Sequence, residues 1–346
     1  MQYKNFTYIL TLILLSSFKP QRFQVDGYLD DVSPNKQYVL YRAPDVWETG
    51  EYNFGNLRIL NVKTGTITIV PEQIMIEGAS SLFLDNHTVV MPPAEGRIDL
   101  YDIPTKAFKK TPLTSYNKKF ITLQFALSKD KSKVALLFLD KTDTVEDAAA
   151  SELNCRVELK VIDLKNRKEY ISETHDYTLG TDIKSGGILW YNDQVVYSYQ
   201  NKTYCYKLGT KAPLLIADYT SNYALHKNVL IFPSNTDICK FNFSNGSITE
   251  IALKDSPIDL RKYNKLYTTH NYGTKQAGLR IEDKQKYYYY TLNDKYEFVP
   301  QEKLMLYQDE GLAIELLLTP IPYGDCIITK EELLITETER HNTDSK

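Results

Sequence analysis

The sequence has little histidine, little cysteine and almost no excess of either charge. Five histidines in 346 residues disfavour a metal site built from several imidazoles. A net charge of −3, from 41 basic and 44 acidic side chains, argues against a nucleic-acid clamp, which needs a basic surplus. Four cysteines without a C-x-x-C pair exclude a zinc ribbon and a thioredoxin-type redox site. We therefore expect no metal, no cofactor and no nucleic-acid partner.

The cysteines lie far apart, each in a segment with the apolar alternation of a β-strand. They are Cys155, Cys205, Cys239 and Cys326. Small apolar thiols of this kind are usually buried in strands, so we predict free buried cysteines, with disulfides as the alternative.

Long apolar runs are also missing, except at the N-terminus. The run Ile9–Leu15, after a polar start with Lys4, is about half the ~20 residues that a membrane span needs. Its shape is that of a secretory signal, so residues 1–22 are predicted to be a signal peptide. The protein would then be secreted or periplasmic, without a transmembrane span. The alternative is a cytoplasmic protein whose first strand is unusually apolar.

Helical periodicity is almost absent, and short alternating segments rich in Val, Ile, Tyr and Phe recur instead. This pattern is typical of an all-β chain. A strand–turn–strand segment occurs seven times. Its turns are centred near Gly65, Thr105, Asn166, Gly209, Asn245, Asn293 and Lys330.

The turns are on average about 44 residues apart, as expected for one four-stranded blade of a β-propeller. A second strand pair precedes each hairpin, at 28–43, 81–93, 123–139, 188–200, 223–234, 260–272 and 304–318. We predict a single β-propeller domain over residues 23–340, with seven blades and six as the alternative. Residues 23–27 are the candidate for the strand that closes the ring, and residues 341–346 form a disordered tail.

One blade carries a recognisable repeat motif. The segment from Ser33 to Lys36, S-P-N-K, is followed by Asn61, Thr64 and Gly65, and Ser128 and Asp130 repeat the first part weakly. The motif resembles the repeats of TolB-like proteins and of the N-terminal propellers of dipeptidyl peptidase IV. This resemblance implies the fold and supplies no catalytic residues. The peptidase domain of that family is missing, because no G-x-S-x-G elbow occurs.

A loop at residues 42–56 combines aromatic and acidic side chains. It holds Trp47, Tyr52 and Phe54 beside Glu48 and Glu51. Such a loop can stack on a sugar or hold a cationic peptide end. It can equally fold its rings over its own blade.

Two similar segments place a histidine beside a polar neighbour. His175 is followed by Asp176, and His270 is followed by Asn271. A histidine beside a carboxylate can act as a general base, although an ordinary hydrogen bond is its commoner role. The two histidines fall at different positions of their repeats, so we do not expect them to converge.

Carboxylates recur near the turn between the first two strands of a blade. They are Asp31, Asp85, Asp130, Asp193 and Asp309. A ring of carboxylates around an axial channel could hold a cation, but turn chemistry explains the same positions more simply. A further acidic insertion, at residues 140–154, is interpreted as a solvated excursion.

These observations favour a secreted or periplasmic monomer that binds a protein, peptide or glycan without chemistry. The inference comes from the fold and is therefore an analogy. One alternative is a propeller hydrolase or lyase with its active site at the axial mouth, where Asp, Glu or His would converge. Another is an intracellular scaffold, if the N-terminus is not a signal. The sequence assigns no catalytic residues.

Overall fold

The computed structural model describes residues 21–43, 45–46, 52–53, 56–71, 80–93, 97–112, 120–140, 155–166, 168–177, 187–220, 222–233, 238–251, 264–283, 286–323 and 326–338. Residues 1–20 of the predicted signal, most of the aromatic loop, the acidic insertion beyond Asp140 and the predicted tail at 341–346 lie outside these residues. Within the described residues all regular secondary structure is β-strand, so they hold no helix that could cross a membrane.

Thirty strands are formed by the described residues. They are β1 (Arg22–Asp26), β2 (Tyr28–Val32), β3 (Tyr38–Arg42), β4 (Asp45–Val46), β5 (Tyr52–Asn53), β6 (Leu57–Asn61), β7 (Ile67–Ile69), β8 (Leu82–Phe83), β9 (Thr88–Val90), β10 (Arg97–Asp102), β11 (Ala107–Pro112), β12 (Phe120–Leu127), β13 (Lys133–Asp140), β14 (Cys155–Asp163), β15 (Glu169–Tyr177), β16 (Ile188–Tyr191), β17 (Gln194–Tyr199), β18 (Lys202–Lys207), β19 (Leu214–Ala217), β20 (Ala224–His226), β21 (Val229–Pro233), β22 (Ile238–Asn242), β23 (Ile248–Ile251), β24 (Asn264–Asn271), β25 (Thr274–Asp283), β26 (Lys286–Leu292), β27 (Phe298–Gln301), β28 (Leu304–Asp309), β29 (Leu312–Tyr323) and β30 (Cys326–Thr336).

Most of these strands belong to four-stranded antiparallel groups. Groups 1 to 5 are separate sheets, β2-β3-β6-β7, β8 to β11, β12 to β15, β16 to β19 and β20 to β23. An eight-stranded sheet contains group 6, β24 to β27, and group 7, β28-β29-β30-β1. A short parallel contact between β24 and β28 joins these two. The short strands β4 and β5 pair as a ribbon within group 1.

Side-chain alternation along each central strand buries both faces of a group. In β13, Ala135 and Leu137 pack toward group 4, whereas Leu136 and Phe138 pack toward group 2. Successive side chains of a strand point to opposite faces, so a strand between two neighbours is apolar throughout. Each fully buried side chain of this size contributes about 1.5–3 kcal/mol.

The groups form a closed ring. Hydrophobic clusters join groups 1 and 2, 2 and 3, 3 and 4, 4 and 5, and 5 and 6. A further cluster unites groups 7 and 1, and Tyr267 and Tyr289 of group 6 pack against it. This is the architecture of a β-propeller, as the sequence predicts. The described strands form seven four-stranded groups. Seven remains the predicted number of blades for the whole chain.

The predicted closing strand is confirmed. Strand β1 pairs with β30 from Arg22–Thr336 to Asp26–Glu332, so the N-terminal segment is the outermost strand of group 7. Gly27 then leads into group 1 with φ +131°, and a Cβ there would lie 1.8 Å from the Arg42 carbonyl oxygen. The junction therefore requires glycine.

Two predicted hairpins are wrong. Lys330 lies inside the continuous strand β30 and not in a turn. The reason is that β1 takes the outer position, so group 7 needs no local outer hairpin. The predicted pair at 260–272 is also absent: residues 264–271 form the single strand β24, whose partner β25 follows a turn at Tyr272–Gly273. The polar residues on which the predicted turn was based lie in β24, the innermost strand of group 6.

The repeat motif corresponds to a specific turn. Ser33 Oγ donates to Asn35 Oδ1 (2.8 Å) and accepts from the Tyr38 N–H (2.9 Å). Ser128 repeats this arrangement, donating to Asp130 Oδ1 (2.6 Å) and accepting from the Lys133 N–H (2.9 Å). The motif therefore encodes a turn between the first two strands of a group, which we call the serine-anchored turn.

Two of the cysteines, Cys205 and Cys239, are free and buried, as predicted. Burial raises the pKa of the Cys205 thiol to about 12, so it stays protonated.

Candidate functional site on the inner-turn face

The turns between the first and second strands of the groups lie on one face of the ring, here the inner-turn face. They are at residues 33–37, 84–87, 128–132, 192–193, 227–228, 272–273 and 310–311. The parallel contact of β24 with β28 shows that these two inner strands run in the same direction. Hydrogen bonds also link neighbouring turns, for example from the Asn35 N–H to Asn86 Oδ1 (2.9 Å).

An ion pair joins the first and last groups on this face. Lys36 Nζ lies 2.9 Å from Asp309 Oδ2 and donates to the Glu310 carbonyl oxygen at 3.0 Å. His270 Nε2, from group 6, lies 3.7 Å from the same Asp309 oxygen. Three groups therefore meet at one carboxylate.

The surroundings of His270 favour its neutral form. Its ring stacks on Tyr307 with centroids 4.6 Å apart and planes 11° apart. Burial lowers the pKa of His270, and Lys275 lowers it further, while Asp309 opposes them. The Gly273 N–H donates to His270 Nε2 at 3.3 Å, so this nitrogen serves as an acceptor. The lone pair that a general base would use is therefore engaged.

Three charged residues from three different groups act on one another electrostatically. Asp31 lies on the inner strand of group 1, Lys131 on the turn of group 3, and Lys275 at the start of the second strand of group 6. Both lysines act electrostatically on Asp31. Since groups 3 and 6 lie on different sides of group 1, such interactions occur only near the centre of the ring. We name Asp31, Lys131 and Lys275 the axial trio.

The axial trio has one positive charge in excess. Burial raises the pKa of Asp31, while the Phe83 N–H (2.8 Å) and the two lysines oppose this rise. Burial also lowers the pKa of Lys275, with Asp31 opposing and Lys131 reinforcing the shift. The Lys275 side chain is nevertheless exposed to solvent. The charges of two ammonium groups thus act on one carboxylate.

Two lysines on the turns of the inner-turn face, Lys36 and Lys131, occupy strained backbone positions. Lys36 has φ +61° and Lys131 has φ +59°, each in the serine-anchored turn of its group. The left-handed conformation costs a non-glycine residue roughly 1 kcal/mol. Glycine would fit both positions without strain, so the lysine side chains are candidates for a functional role.

The recurring aspartates fall into two kinds. Asp85 accepts from the His87 and Thr88 N–H groups, and Asp130 accepts from Ser128 and Ser132 hydroxyls, which lowers the pKa of Asp130 to about 2. The turn-chemistry interpretation is confirmed for these two. It is wrong for Asp31, which lies in a strand and accepts an N–H from the next group because the inner strands pack edge to edge. Among the described residues no cluster of three or more metal-ligating side chains occurs.

Most of the aromatic loop that the sequence singled out lies outside the described residues. This applies to Trp47, Glu48, Glu51 and Phe54. Tyr52 belongs to strand β5 and pairs with Val46, and only its backbone is described. A ligand-binding role for this loop stays a prediction.

The predicted histidines occupy different parts of the ring. His175 and Asp176 lie on β15, the outermost strand of group 3, opposite Val157 and Arg156. His270 lies on the inner strand of group 6. Sequence reasoning did not select Lys36, Lys131 or Lys275. For Lys36 and Lys131 the available signal was a lysine at the fourth position of the serine-anchored turn, in two copies.

Comparison with solved structures supports the fold. The chain matches U3-55K with a TM-score of 0.52 and 8% identity, covering 92% of this chain and 100% of that one. It matches a chain of the mitotic checkpoint complex with a TM-score of 0.51 and 11% identity, covering 93% and 95%. It also matches the acylaminoacyl peptidase of Pyrococcus horikoshii with a TM-score of 0.50 and 12% identity, covering 88% of this chain.

These likenesses concern the fold alone, because the identities are low. The chain spans 57% of the length of the peptidase. No protein-family model and no curated protein matches the sequence.

Proposed function

We propose that the protein is a non-catalytic binding module that holds an acidic segment of a protein or peptide on its inner-turn face. The observation that carries this proposal is the axial trio, in which the charges of Lys131 and Lys275 both act on the Asp31 carboxylate. A carboxylate of the ligand would supply the missing negative charge. Rigid sheets that present short turns around a centre suit recognition of this kind.

Binding is a better account of the cluster than catalysis. The catalytic alternative draws support from the convergence of His270, Asp309 and Asp31 near the axis. However, His270 Nε2 accepts an N–H, and Asp309 is paired with Lys36. Burial raises the pKa of Tyr307 to about 12, helped by Asp309 and Asp31, so its phenol stays protonated. His270, Asp309 and Tyr307 are thus engaged or protonated, which favours binding over catalysis.

Export to the cell exterior or the periplasm is part of the proposal and depends on residues 1–22. Intact mass of the mature protein together with cell fractionation tests it directly. Loss of about 16–22 residues from a protein outside the cytoplasm is the expected result. An intact Met1 in the cytoplasm favours the intracellular scaffold instead.

The binding role can be tested with a displayed library of random dodecapeptides as the probe. We expect peptides with clustered Asp or Glu to be enriched on the wild-type protein and to be lost on Lys275→Glu. Lys286→Glu is the matched control, because Lys286 is exposed in the same group and follows the turn between its second and third strands, on the opposite face. Reversing a charge at a binding centre weakens association by about tenfold or more.

A second variant separates binding from stability. Lys131→Gly removes an ammonium group and relieves left-handed strain, so we expect unchanged or higher stability with weaker binding of the same peptides. Equal enrichment on Lys275→Glu and Lys286→Glu, or selection of basic peptides, would refute the proposal.

A further inference from the structure

A cavity of about 570 Å³ lies between groups 3 and 4 on the inner-turn face. Its wall comes from the serine-anchored turn of group 3 and from the first hairpin of group 4. The turn of group 3 also carries Lys131, so the cavity lies beside the axial trio. A volume of several hundred Å³ suits a small ligand or one to three sugar residues.

Trp190 forms an aromatic platform in this cavity. Its indole Nε1–H donates to the Ala126 carbonyl oxygen at 3.1 Å, and part of the ring packs against the hydrophobic cluster between groups 3 and 4. The rest of the ring lines the cavity. The hydrogen bond satisfies the polar atom of the indole and fixes the ring in place, so its surface is organised before any ligand arrives.

The charges around the platform cancel. Lys129 and Lys133 line the cavity together with Asp130 and Asp193. Asp130 is ionised at any physiological pH, because neighbouring hydroxyls lower its pKa to about 2. A cationic ligand would meet the two lysines, and an anionic ligand would meet the two aspartates. The cavity therefore favours a ligand that is polar but carries no net charge.

Hydrogen-bonding groups stand at the rim. Asn192 and Asp193 form the tight turn between β16 and β17, and both are exposed. The structure shows no side-chain hydrogen bond from either within the described residues. Asn192 has φ +54°, a conformation that asparagine tolerates in such turns. An amide and a carboxylate are thus held beside an aromatic surface, ready to bind hydroxyl groups.

We propose that this cavity binds a neutral sugar. The apolar C–H face of a pyranose ring stacks on Trp190, while its hydroxyl groups donate to Asp193 and exchange hydrogen bonds with Asn192. This site is distinct from the axial trio, whose excess positive charge suits an acidic group. The two proposals can therefore fail or succeed separately.

The protein is titrated with three neutral tetrasaccharides, one each of the maltose, cellulose and chitin series. Binding is followed by tryptophan fluorescence and by calorimetry. We expect at least one of them to bind saturably in the millimolar range or tighter and to change the tryptophan emission. Trp190→Phe should abolish the sugar-induced emission change. Because the chain contains two tryptophans, the other being Trp47, this variant also assigns the signal.

Asp193→Asn is the sharper variant, since it changes one exposed turn residue and preserves its size. We expect it to weaken sugar binding about tenfold, as for loss of hydrogen bonds to a charged group. Glu310→Gln is the matched control, an equal change at an exposed residue in the corresponding turn of group 7. Calorimetric affinities should be the same for this control and the wild type.

Three results would overturn the assignment. The first is no saturable binding of any of the three sugars up to about 10 mM. The second is equal affinity of Asp193→Asn and wild type. The third is tighter binding of tetralysine than of the sugars with the same dependence on Trp190, which would assign the cavity to a cation.

Discussion

Two junctions of the ring are stabilised by different kinds of contact. Between groups 3 and 4 the contact is apolar and aromatic, with Val157, Leu159 and Tyr197 completely buried. Where groups 6, 7 and 1 meet, charged pairs accompany the apolar cluster. Arg280 Nη1 lies 3.0 Å from Glu331 Oε1, between groups 6 and 7. The ion pair of Lys36 and Asp309 lies between groups 7 and 1.

Chain connectivity distinguishes the junction of groups 3 and 4 from that of groups 7 and 1. Groups 3 and 4 are consecutive, so the linker already holds them close and non-directional apolar packing suffices. Groups 7 and 1 contain residues from opposite ends of the chain, and β1 must find β30 in one register. Ion pairs and hydrogen bonds are directional, and the pair of Lys36 and Asp309 lies on the inner-turn face. The junction between groups 7 and 1, where the ring closes, is called the seam. It also carries candidate binding groups.

The largest expected effect is at the apolar junction. Tyr197→Ala should lower the free energy of unfolding by about 3–5 kcal/mol, because the ring is fully buried and stacks on Tyr204. Equilibrium unfolding in urea measures this. Tyr288→Ala is the control, since Tyr288 is 44% exposed and its loss should change stability by under about 0.5 kcal/mol. Similar losses for both variants would mean that burial between groups 3 and 4 does not set the contribution of Tyr197 to stability.

A much smaller effect is expected for the ion pair at the seam. Lys36→Met should lower the free energy of unfolding by less than about 1 kcal/mol, because both side chains are partly solvated, at 23% and 22% exposure. Lys63→Met, at an exposed turn of the same group, is the control. A loss of about 3–5 kcal/mol would instead mean that the pair behaves as a buried one.

Much of the fold is predictable from local sequence. Period-2 alternation and turn residues identify most hairpins, because hydrogen bonding and turn chemistry are local. Gly65 and Gly246 indeed lie in turns with φ +70°. Group 7 is different: β30 pairs with a strand from the other end of the chain, so no local turn exists to be found near Lys330.

The candidate site is less predictable for a related reason. Its members are separated by long stretches of sequence and meet only because the ring closes. Lys131 and Lys275 look like ordinary turn lysines until groups 3 and 6 are placed around a common centre. His270 was visible as a candidate, but its partner Asp309 comes from a different group rather than from its neighbour in sequence.

The smallest expected effect is a pH dependence at the seam. The pKa of His270 is lowered by burial and by Lys275, so the unfolded chain binds a proton more readily than the folded one. Stability from this source is complete above the unfolded pKa, about 6.5, and is lost as the pH falls through it toward the folded pKa.

His270→Phe keeps the stack on Tyr307 and cannot titrate. Urea unfolding of wild type and variant from about pH 7.5 to about pH 5.5 should therefore show the wild type losing stability relative to the variant as the pH falls. Part of the slope should remain in the variant, because burial and Lys227 also lower the pKa of His226. A wild type that gains stability relative to the variant on acidification would mean that Asp309 outweighs burial and Lys275. The seam would then be held by a charged histidine instead of a neutral one.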